Sequence, residues 1–515
     1  MSYLMGIDLG STTLKSVVYN LSGKVVSRGM RPTERFHPDP HHPDWTVWKP
    51  EQIWAGTAAS VREAAAKLDD PKKIKAVAVT GMGMDGLPMD AMGRWLYPFI
   101  SWLCPRTEPQ YEWWEKTIGV KETFSISGSS LWRHSTALRL LWMAEHEPEI
   151  LACTHKWLLI EDFLNFMLCG RQATDFTMAS CTLLFDQQKR RWSHELLRRA
   201  GIDERLLCDP QPSGTVLGEV TRKASEATGL CEGTPVVLGG HDYLCGALPV
   251  GAFTPGVMLD VCGTWEVIQT TVPQPVLSAE VQQIGGNIEC HVVPDLYSSA
   301  TAAISAETLE WYRREYGHEA KARAKERGCA DWETLMEEAI ASPAGSRGVM
   351  FLPHMGGSSS PIIDFRSRAG FVGLNSNTTR GDILRALIEG LDFQFHEILQ
   401  AMECHLHQES QRLIIVGGAV RNEFWMQNKA DIVGRPLEVS DIEDASPLGA
   451  AMLAGVGIGL YKNVNEAYEC VRRPGKVFTP DMKRVEHYAE LSAIYRQLYA
   501  ALRQVNHAIS DMQAR

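Results

Sequence analysis

The apolar pattern at the start of the chain indicates three short strands, then a helix, then a fourth strand. The three strand segments are residues 3–8, 14–20 and 24–30. Pro50 opens a helical stretch that runs to about residue 68, and residues 75–80 follow as a buried strand. This order is typical of an α/β domain in which one sheet holds the strands and the helix covers a face of it.

The second half of the chain repeats this order, because residues 256–269 again indicate strand, turn and strand. The segments Asp8-Leu-Gly-Ser-Thr12 and Asp260-Val-Cys-Gly-Thr264 lie 252 residues apart, each where one strand turns into the next. The repeat predicts two domains of the ribonuclease-H-like type. We expect residues 1–248 to form the first domain and residues 249–515 the second.

The rest of the chain continues the alternation of strands and helices. The remaining segments are a strand at residues 234–238, a helix at 380–402, a strand at 412–416, a helix at 423–432, a strand at 437–440 and a helix at 446–456. Residues 103–230 and 313–345 are predicted as insertions into the two cores. The alternation predicts a mixed or parallel sheet with both faces covered, so the fold class is α/β.

Composition and charge exclude several classes of function. The 515 residues include 62 acidic and 51 basic side chains, for a formal net charge of −11, and the basic residues form no cluster. Such a surface repels nucleic-acid phosphates and anionic lipid headgroups. No stretch reaches the roughly 20 apolar residues of a membrane span, and the first residues lack the pattern of a signal peptide. We expect a cytoplasmic protein without nucleic-acid or membrane partners.

The segment from Asp8 to Lys15 has the composition of a phosphate-binding loop. Gly10 allows a tight turn that exposes backbone N–H groups. The hydroxyl side chains that follow it are Ser11, Thr12 and Thr13. Lys15 adds a cation for phosphate oxygens, and Asp8 at the strand end is suited to hold Mg²⁺ through water. The alternative is an ordinary β-hairpin with a polar tip.

Two further loops have features of a nucleotide site. Gly263 and Thr264 repeat the glycine and hydroxyl of the first loop in the second half, although a plain hairpin turn has the same composition. The segment 417–422 begins with two glycines at a strand end, where a flat ring such as adenine can lie against the backbone. Asn422 can hydrogen-bond ring nitrogens. The alternative for this segment is a tight turn between strand and helix.

Asp242 follows the strand at 234–238, close to the expected domain boundary. A carboxylate at a strand end, in a cleft between domains, can accept the proton of a substrate hydroxyl during phosphoryl transfer. Asp242 is therefore the candidate general base. The alternative is a helix N-cap, which aspartate also favours. We interpret His241 as structural, because nothing pairs it with a nucleophile or a metal.

The segments 81–86 and 97–107 contain the groups that a sugar site needs. Asp85 offers hydrogen-bond acceptors to sugar hydroxyls, Arg106 offers a forked donor, and Trp102 offers an aromatic face for the C–H surface. A core position for Trp102 and a surface ion pair for Arg106 are the alternatives.

Taken in this order, the segments resemble the FGGY carbohydrate kinases over essentially the whole chain. The last third, from GGAVRNEFWMQNKADIVGRPLEV onward, is similar to the adenine-binding region of that family. The other matching motifs are MDG at 84–86, YPFISWLCPRT at 97–107, GHD at 240–242, CGTWE at 262–266 and LEW at 309–311. These motifs are most similar to those of the fuculose-phosphorylating members. The resemblance implies two actin-like ATPase domains with ATP and a sugar in the cleft between them.

The resemblance also implies roles for individual residues. It places the catalytic base at Asp242, Mg²⁺ at Asp8 and Asp242, and the sugar at Asp85, Trp102, Arg106, Asp242 and Tyr243. It places the ATP phosphates and adenine at Ser11, Thr12, Thr13, Lys15, Gly263, Thr264, Glu310, Gly418, Ala419 and Asn422.

The function implied by the resemblance is ATP-dependent phosphorylation of a ketose, either a fuculose-like deoxyketose or a pentulose. Met82, Gly83 and Met84 precede Asp85 where many members carry polar residues, which argues against a xylulokinase or glycerol-kinase substrate. A kinase for an alditol or a sugar acid is the alternative among enzymes. An actin-like ATPase that serves as a chaperone or filament subunit is the alternative of another class. A homodimer is left open as the assembly.

Overall fold

The computed structural model describes residues 2–440 and 442–513. Residues 1, 441, 514 and 515 lie outside the described residues. They include the first residue of the expected first domain and the last two residues of the expected second domain. Within the described ranges, two large sheets are flanked by helices and joined to smaller strand pairs. The predicted α/β class is confirmed.

The bounds of the elements are as follows. The strands in chain order are β1 (Tyr3–Leu9), β2 (Thr13–Asn20), β3 (Val25–Pro32), β4 (Val47–Trp48), β5 (Ile74–Gly81), β6 (Gly86–Met89), β7 (Phe99–Ile100), β8 (Lys156–Leu159), β9 (Thr174–Asp175), β10 (Phe185–Asp186), β11 (Arg191–Trp192), β12 (Pro210–Gln211), β13 (Val216–Glu219), β14 (Pro235–His241), β15 (Val257–Cys262), β16 (Trp265–Val272), β17 (Asn287–Cys290), β18 (Tyr297–Ile304), β19 (Met350–Leu352), β20 (Gly370–Val372), β21 (Arg412–Val416), β22 (Leu437–Val439) and β23 (Lys476–Phe478). The helices in chain order are α1 (Pro50–Ala66), α2 (Glu108–Thr117), α3 (Val120–Ser127), α4 (Thr136–His146), α5 (Pro148–Cys153), α6 (Ile160–Cys169), α7 (Phe176–Ser180), α8 (His194–Ala200), α9 (Arg222–Thr228), α10 (Asp242–Ala247), α11 (Ala279–Gln283), α12 (Ala306–Tyr316), α13 (His318–Arg327), α14 (Asp331–Ala341), α15 (Arg380–Leu406), α16 (Glu423–Val433), α17 (Ala445–Gly457), α18 (Val464–Val471) and α19 (Met482–Gln513).

The two large sheets share one strand arrangement. The first sheet has the order β13-β14-β5-β1-β2-β3, and the second has the order β17-β18-β16-β15-β21-β22-β23. In each sheet, three antiparallel strands form a meander, and parallel strands extend the sheet beyond the first strand of that meander. Read from β23, the strand order of the second sheet therefore repeats that of the first, as the sequence repeat predicted, with β17 as an additional edge strand.

Local sequence explains where the main helices begin. Pro50 occupies the first turn of α1, where its missing N–H group has no intrahelical partner to lose. The helix α15 begins after a reciprocal cap: the backbone N–H of Asp382 donates to Oγ1 of Thr379, and the carboxylate of Asp382 accepts from the Thr379 N–H. This helix continues to Leu406, past the predicted end at residue 402.

The parallel strands bring the predicted site residues to one edge of the first sheet. Asp8 on β1 lies opposite Thr80 on β5, and Gly240 on β14 lies opposite Thr80 on the other side. The hydroxyl of Thr80 donates to the carbonyl of Gly240 at 2.6 Å and ties these strand ends together. Asp242 follows β14 immediately, so the carboxyl edge of this sheet presents both Asp8 and Asp242.

A helix from the second half of the chain packs on the first sheet. Side chains of α17 share an apolar core with Leu4, Val17 and Tyr19 of the first sheet. The backbones approach closely at two glycines. A Cβ on Gly6 of β1 would lie 1.8 Å from the carbonyl oxygen of Pro447 in α17, and a Cβ on Gly449 of α17 would lie 1.8 Å from that of Cys245 in α10. Glycine is therefore required at both positions.

We expect the Gly449→Ala variant to be less stable than the parent. The added methyl group meets backbone atoms that cannot rotate away, so overpacking should cost about 1–3 kcal/mol of unfolding free energy. Gly356→Ala is the matched control, because a Cβ at Gly356 meets nothing within 4 Å and its φ is not positive. Thermal unfolding followed by circular dichroism measures both. An unchanged midpoint for the Gly449→Ala variant would contradict the packing described here.

The predicted insertion at residues 103–230 is not a separate layer, because its α6 shares an apolar core with β1 and β5 and its β8 pairs with β6. Residues 103–230 contain α2 to α9 and the small pairs β10–β11 and β9–β12, but their β13 joins the edge of the first sheet next to β14. Residues 313–345 form α13 and α14 with the end of α12. Among the described helices, none combines the length and the apolar character needed to cross a membrane.

Candidate active site

A cavity of about 510 Å³ opens at the carboxyl edge of the first sheet. The residues that line it come from the ends of β1, β5 and β14, from the start of β2, from the segment after β7 and from the insertion. They are Asp8, Gly10, Ser11, Thr12, Thr13, Lys15, Met82, Met84, Trp102, His134 and Asp242. The structure thus brings the first phosphate loop, the candidate base and one predicted sugar contact to one cavity.

The loop from Gly10 to Thr13 is held in shape by its own backbone and by Thr33. The N–H of Gly10 donates to the carbonyl of Thr13 at 3.2 Å. Thr33, directly after β3, donates its hydroxyl to the carbonyl of Gly10 at 2.8 Å and its N–H to that of Thr12 at 3.0 Å. The carbonyls of Gly10, Thr12 and Thr13 are therefore occupied, whereas the hydroxyl residues of the loop line the cavity.

Two carboxylates face the cavity near one lysine. Burial, together with the carboxylate of Asp242, raises the pKa of Asp8 to about 7. The carboxylate of Asp444 adds to this rise, and the ammonium group of Lys15 opposes it. Nζ of Lys15 lies 2.8 Å from Oδ1 of Asp444, just before α17, so the lysine links the two halves of the chain. The cavity therefore has an excess of negative charge.

Asp242 is the first residue of α10, directly after His241. Its Oδ1 accepts the N–H of Tyr243 at 2.6 Å, and about a third of its side chain, 36%, is exposed toward the cavity. Burial raises the pKa of Asp242 above its usual range, and the nearby imidazole of His241 opposes the rise. The carboxylate thus makes a cap-like hydrogen bond to the helix and remains accessible to a ligand.

One wall of the cavity is aromatic and apolar. Trp102 and His134 pack edge to face with ring centroids 6.1 Å apart, and Met82 and Met84 line the same cavity. Burial and the charge of Arg139 lower the pKa of His134 to about 3, so this imidazole is neutral at pH 7. The sequence offered no signal for His134, because it lies in a long insertion without a motif.

Asp85 lies outside the cavity, although Met84 next to it lines the wall. Its carboxylate is fully buried: Nε1 of Trp48 donates to Oδ2 at 2.6 Å, and Nη2 of Arg139 lies 3.2 Å from Oδ1. Burial raises the pKa of Asp85 to about 6, although Arg139 and Trp48 oppose the rise. The predicted sugar contact would need this carboxylate at the wall, so its role in sugar binding stays a prediction.

Arg106 and Tyr243 also lie outside the cavity wall. The guanidinium of Arg106 is buried against the rings of Trp45 and Trp142, at 4.4 and 4.9 Å from their centroids. The hydroxyl of Tyr243 donates to Glu289 at 2.8 Å. The burial of Arg106 excludes the surface ion pair considered for it, whereas its sugar contact stays a prediction.

The second group of predicted nucleotide residues lies on the second sheet. Val261 on β15 pairs in parallel with Val416 on β21, so the loops that contain Gly263 and Gly417 leave the same edge. Gly417 has φ +102°, and a Cβ there would lie 2.5 Å from the carbonyl oxygen of Cys262. The two loops therefore pack directly on each other. Neither lines the cavity on the first sheet.

The segment after Gly417 presents an open backbone face. A Cβ on Gly418 would meet nothing within 4 Å, and Ala419 follows in a short 3₁₀ turn. Asn422 caps α16: its Oδ1 accepts the N–H of Trp425 at 3.1 Å, and its Nδ2 lies 3.0 Å from the sulfur of Met336. Of the remaining predicted contacts, Thr264 is exposed, and Glu310 pairs with Arg313 at 2.8 Å.

The repeated aspartate of the second half has a different environment from Asp8. Asp260 is fully buried, and its Oδ2 accepts from Nζ of Lys429 at 2.7 Å. The same ammonium group also bonds Glu266, on the other side of the turn at Gly263 and Thr264. Lys429 therefore ties together the two strands that carry this turn, and Asp260 has no access to a ligand.

Comparisons with known proteins agree with this architecture. Residues 3–249 match the N-terminal domain, and residues 258–458 the C-terminal domain, of the FGGY family of carbohydrate kinases. The L-fuculokinase of Escherichia coli (strain K12) is 30% identical over 477 residues, covering 93% of this chain and 97% of that protein. The xylulose kinase of Bacillus subtilis (strain 168) is 26% identical over 521 residues, covering 100% of both.

The fold is shared with solved structures as well. The crystal structure of xylulose kinase from Rhodospirillum rubrum superimposes with a TM-score of 0.88 at 26% identity, covering 98% of this chain and 100% of that one. Gluconate kinase from Lactobacillus acidophilus has a TM-score of 0.86 at 22% identity, covering 97% of this chain and 98% of that one. With both family domains matched along the chain, the protein belongs to the FGGY family of carbohydrate kinases.

Proposed function

We propose that this carbohydrate kinase transfers the γ-phosphoryl group of ATP to a hydroxyl of a neutral ketose, a fuculose-like deoxyketose or a pentulose. The observation that supports this proposal is the cavity at the edge of the first sheet. It unites an accessible carboxylate at Asp242, a hydroxyl-rich loop at residues 11–13 and an apolar wall. These are the groups needed to accept a proton, hold phosphate oxygens and pack against a sugar.

In this mechanism Asp242 is the general base. The substrate hydroxyl forms a bond to the γ-phosphorus while the bond from that phosphorus to the ADP oxygen breaks, and the hydroxyl proton passes to the carboxylate of Asp242. The loop hydroxyls at residues 11–13 and Lys15 bind the oxygens that carry the developing charge. Lys15 would exchange its contact with Asp444 for the phosphate.

The cavity also fits Mg²⁺. Burial, followed by the nearby carboxylate of Asp242, raises the pKa of Asp8 to about 7, and a divalent cation would stabilise the charged form of this group. Asp8 and Asp242 would hold the ion, which supplies charge neutralisation of the phosphate oxygens when bound. Asp260 is excluded from this role by its burial and its bond to Lys429.

We assign the adenine nucleotide to the edge of the second sheet. The open face at Gly418 and Ala419 accommodates a flat ring, and Gly263 and Thr264 on the adjoining loop would contact phosphates. Asn422 would reach the ring with its amide by giving up its contact with Met336. Glu310 is the remaining proposed contact, and it would first have to leave Arg313.

The charges around the apolar wall favour a neutral substrate over a sugar acid. Among the described residues that line the cavity, Lys15 is the only lysine or arginine, and Asp444 already pairs with it. Behind the wall, the charge of Arg139 is balanced by Asp85. A substrate carboxylate would therefore lack an unpaired cation, whereas Met82 and Met84 offer a surface for a methyl group.

A substrate panel tests this proposal by ADP release. We expect the largest kcat/KM with a 6-deoxyketose. For the ketose that carries a hydroxyl group on the same carbon, kcat/KM should be about 10–100 times lower, since an unpaired buried hydroxyl costs about 1–3 kcal/mol. Chelation of Mg²⁺ should abolish turnover, and added Mg²⁺ should restore it. Preference for an aldonic acid would overturn the neutral substrate class. Fast ATP hydrolysis without any sugar would favour the alternative of an actin-like ATPase.

The cytoplasmic location is part of the same proposal. All 12 cysteines are free thiols, which is typical of proteins in reducing compartments. The homodimer stays a prediction that analytical ultracentrifugation of the purified chain would test.

A further inference from the structure

One buried carboxylate contacts both neighbours of Asp242. Oε2 of Glu289 accepts the hydroxyl of Tyr243 at 2.8 Å and lies 3.3 Å from Nδ1 of His241. Glu289 is 6% exposed and belongs to β17, the edge strand of the second sheet. Asp242, between His241 and Tyr243 in the chain, lies at the edge of the first sheet. A group from one half of the molecule thus holds the residues on both sides of the proposed base in the other half.

The imidazole of His241 is fixed on several sides. Its Nδ1 also lies 3.3 Å from Sγ of Cys181, and its backbone N–H donates to Oγ1 of Thr177 at 2.8 Å. A Cβ on Gly83 would lie 2.9 Å from Nε2, so this glycine lets the backbone after β5 pass close to the ring. From its sequence context His241 is interpreted as structural, and these contacts show which groups restrain it.

We propose that Glu289 is a positioning residue that orients the carboxylate of Asp242 through His241 and Tyr243. This inference rests on the assignment of Asp242 as the base. A general base must point at the substrate hydroxyl within a fraction of an ångström, and a misplacement of about 1 Å can cost roughly 10²-fold in rate. Because Glu289 lies on the second sheet, the orientation of Asp242 depends on how β17 docks against the first half.

Two hydrogen bonds next to Glu289 support the dependence of the orientation of Asp242 on the docking of β17. The N–H of Cys290 donates to the hydroxyl of Ser180 at 3.2 Å, and Oδ1 of Asn287 accepts the N–H of Ser130 at 2.8 Å. Both hydrogen bonds join β17 to the insertion of the first half, on either side of Glu289 along the strand. The strand is therefore held in place where it meets the neighbours of Asp242.

The Glu289→Gln variant tests the proposal. Glutamine keeps the size of the side chain and an acceptor for Tyr243, but it loses the negative charge that faces His241. We expect kcat to fall by about 10–100-fold, with the KM values for sugar and ATP changed less than about twofold. The matched control is Asn287→Ala, which removes an inter-half hydrogen bond from the same strand without touching His241 or Tyr243. Because the bond from Cys290 to Ser180 and the pairing of β17 with β18 still hold the strand, it should lower the unfolding temperature but reduce kcat far less than Glu289→Gln does.

Two further variants distinguish the possible failures. Tyr243→Phe removes one of the two contacts, and in the double variant with Glu289→Gln the losses in kcat should be less than multiplicative. If the Glu289→Gln variant keeps wild-type kcat, or if Asn287→Ala lowers kcat equally, the positioning role is wrong. The kcat of the Asp242→Asn variant is measured in the same assay. If this variant retains turnover, the assignment of Asp242 as the general base is wrong, whatever the result for Glu289.

Discussion

The Asp242→Asn variant is expected to lose turnover by about 10²–10⁴-fold, the usual contribution of a positioned general base. The amide keeps the shape of the side chain and can still accept the N–H of Tyr243, but it cannot take up the substrate proton. Binding of ATP and sugar should stay near that of the parent protein, because the other residues of the cavity wall remain. Steady-state ADP release and isothermal titration calorimetry measure the two effects separately.

The Asp8→Asn variant is the matched comparison for this result. Asp8 lines the same cavity and is proposed to help hold Mg²⁺, but it has no role in accepting the proton. Its activity should recover in part when the Mg²⁺ concentration is raised, whereas that of the Asp242→Asn variant should not. Turnover near the parent value in the Asp242→Asn variant would remove this carboxylate from the mechanism.

The Gly418→Arg variant is expected to weaken ATP binding by about 100-fold, which corresponds to the loss of roughly 100 Å² of buried ring surface at about 25 cal/mol per Å². The new side chain would occupy the open space assigned to adenine. A Cβ at Gly418 meets nothing within 4 Å and its φ is not positive, so the fold should tolerate the arginine. Sugar binding should be unchanged, because the sugar is assigned to the first sheet.

Gly418→Ala is the control for this experiment, since a methyl group there leaves room for a ring. Titration calorimetry with ATP and, separately, with sugar measures both affinities for each variant. Equal losses for ATP and sugar in the Gly418→Arg variant, with a lower unfolding temperature, would indicate damage to the fold. Unchanged ATP affinity would place adenine elsewhere.

The order of the elements along the chain was enough to predict the framework. Three strands, a helix and a strand at the start, repeated after the middle, specified two related sheets and put Asp8 and Asp242 at strand ends. Strands that run parallel place their carboxyl ends at one edge, so the proximity of these two carboxylates followed from local pattern and chain direction alone. The position of the candidate phosphate loop was predictable for the same reason, because its residues adjoin β1 and β2.

The surroundings of individual side chains were decided by tertiary structure. Asp85 and Arg106 have the residue types of a sugar site, yet Trp48 and Arg139 contact the buried carboxylate of the first, and Trp45 and Trp142 pack against the guanidinium of the second. These partners are separated from them along the chain by loops and insertions. No local pattern reports such contacts.

By itself, the sequence determined the fold class, the repeat and the strand ends at which chemistry is possible, because hydrophobic periodicity and turn residues act over a few positions. Only the tertiary structure decided which polar groups face the cavity. It placed His134 from the insertion at the wall and brought Glu289 from the second sheet against His241 and Tyr243. Burial and hydrogen-bond partners depend on chain segments that meet only after folding, so they become visible only in three dimensions.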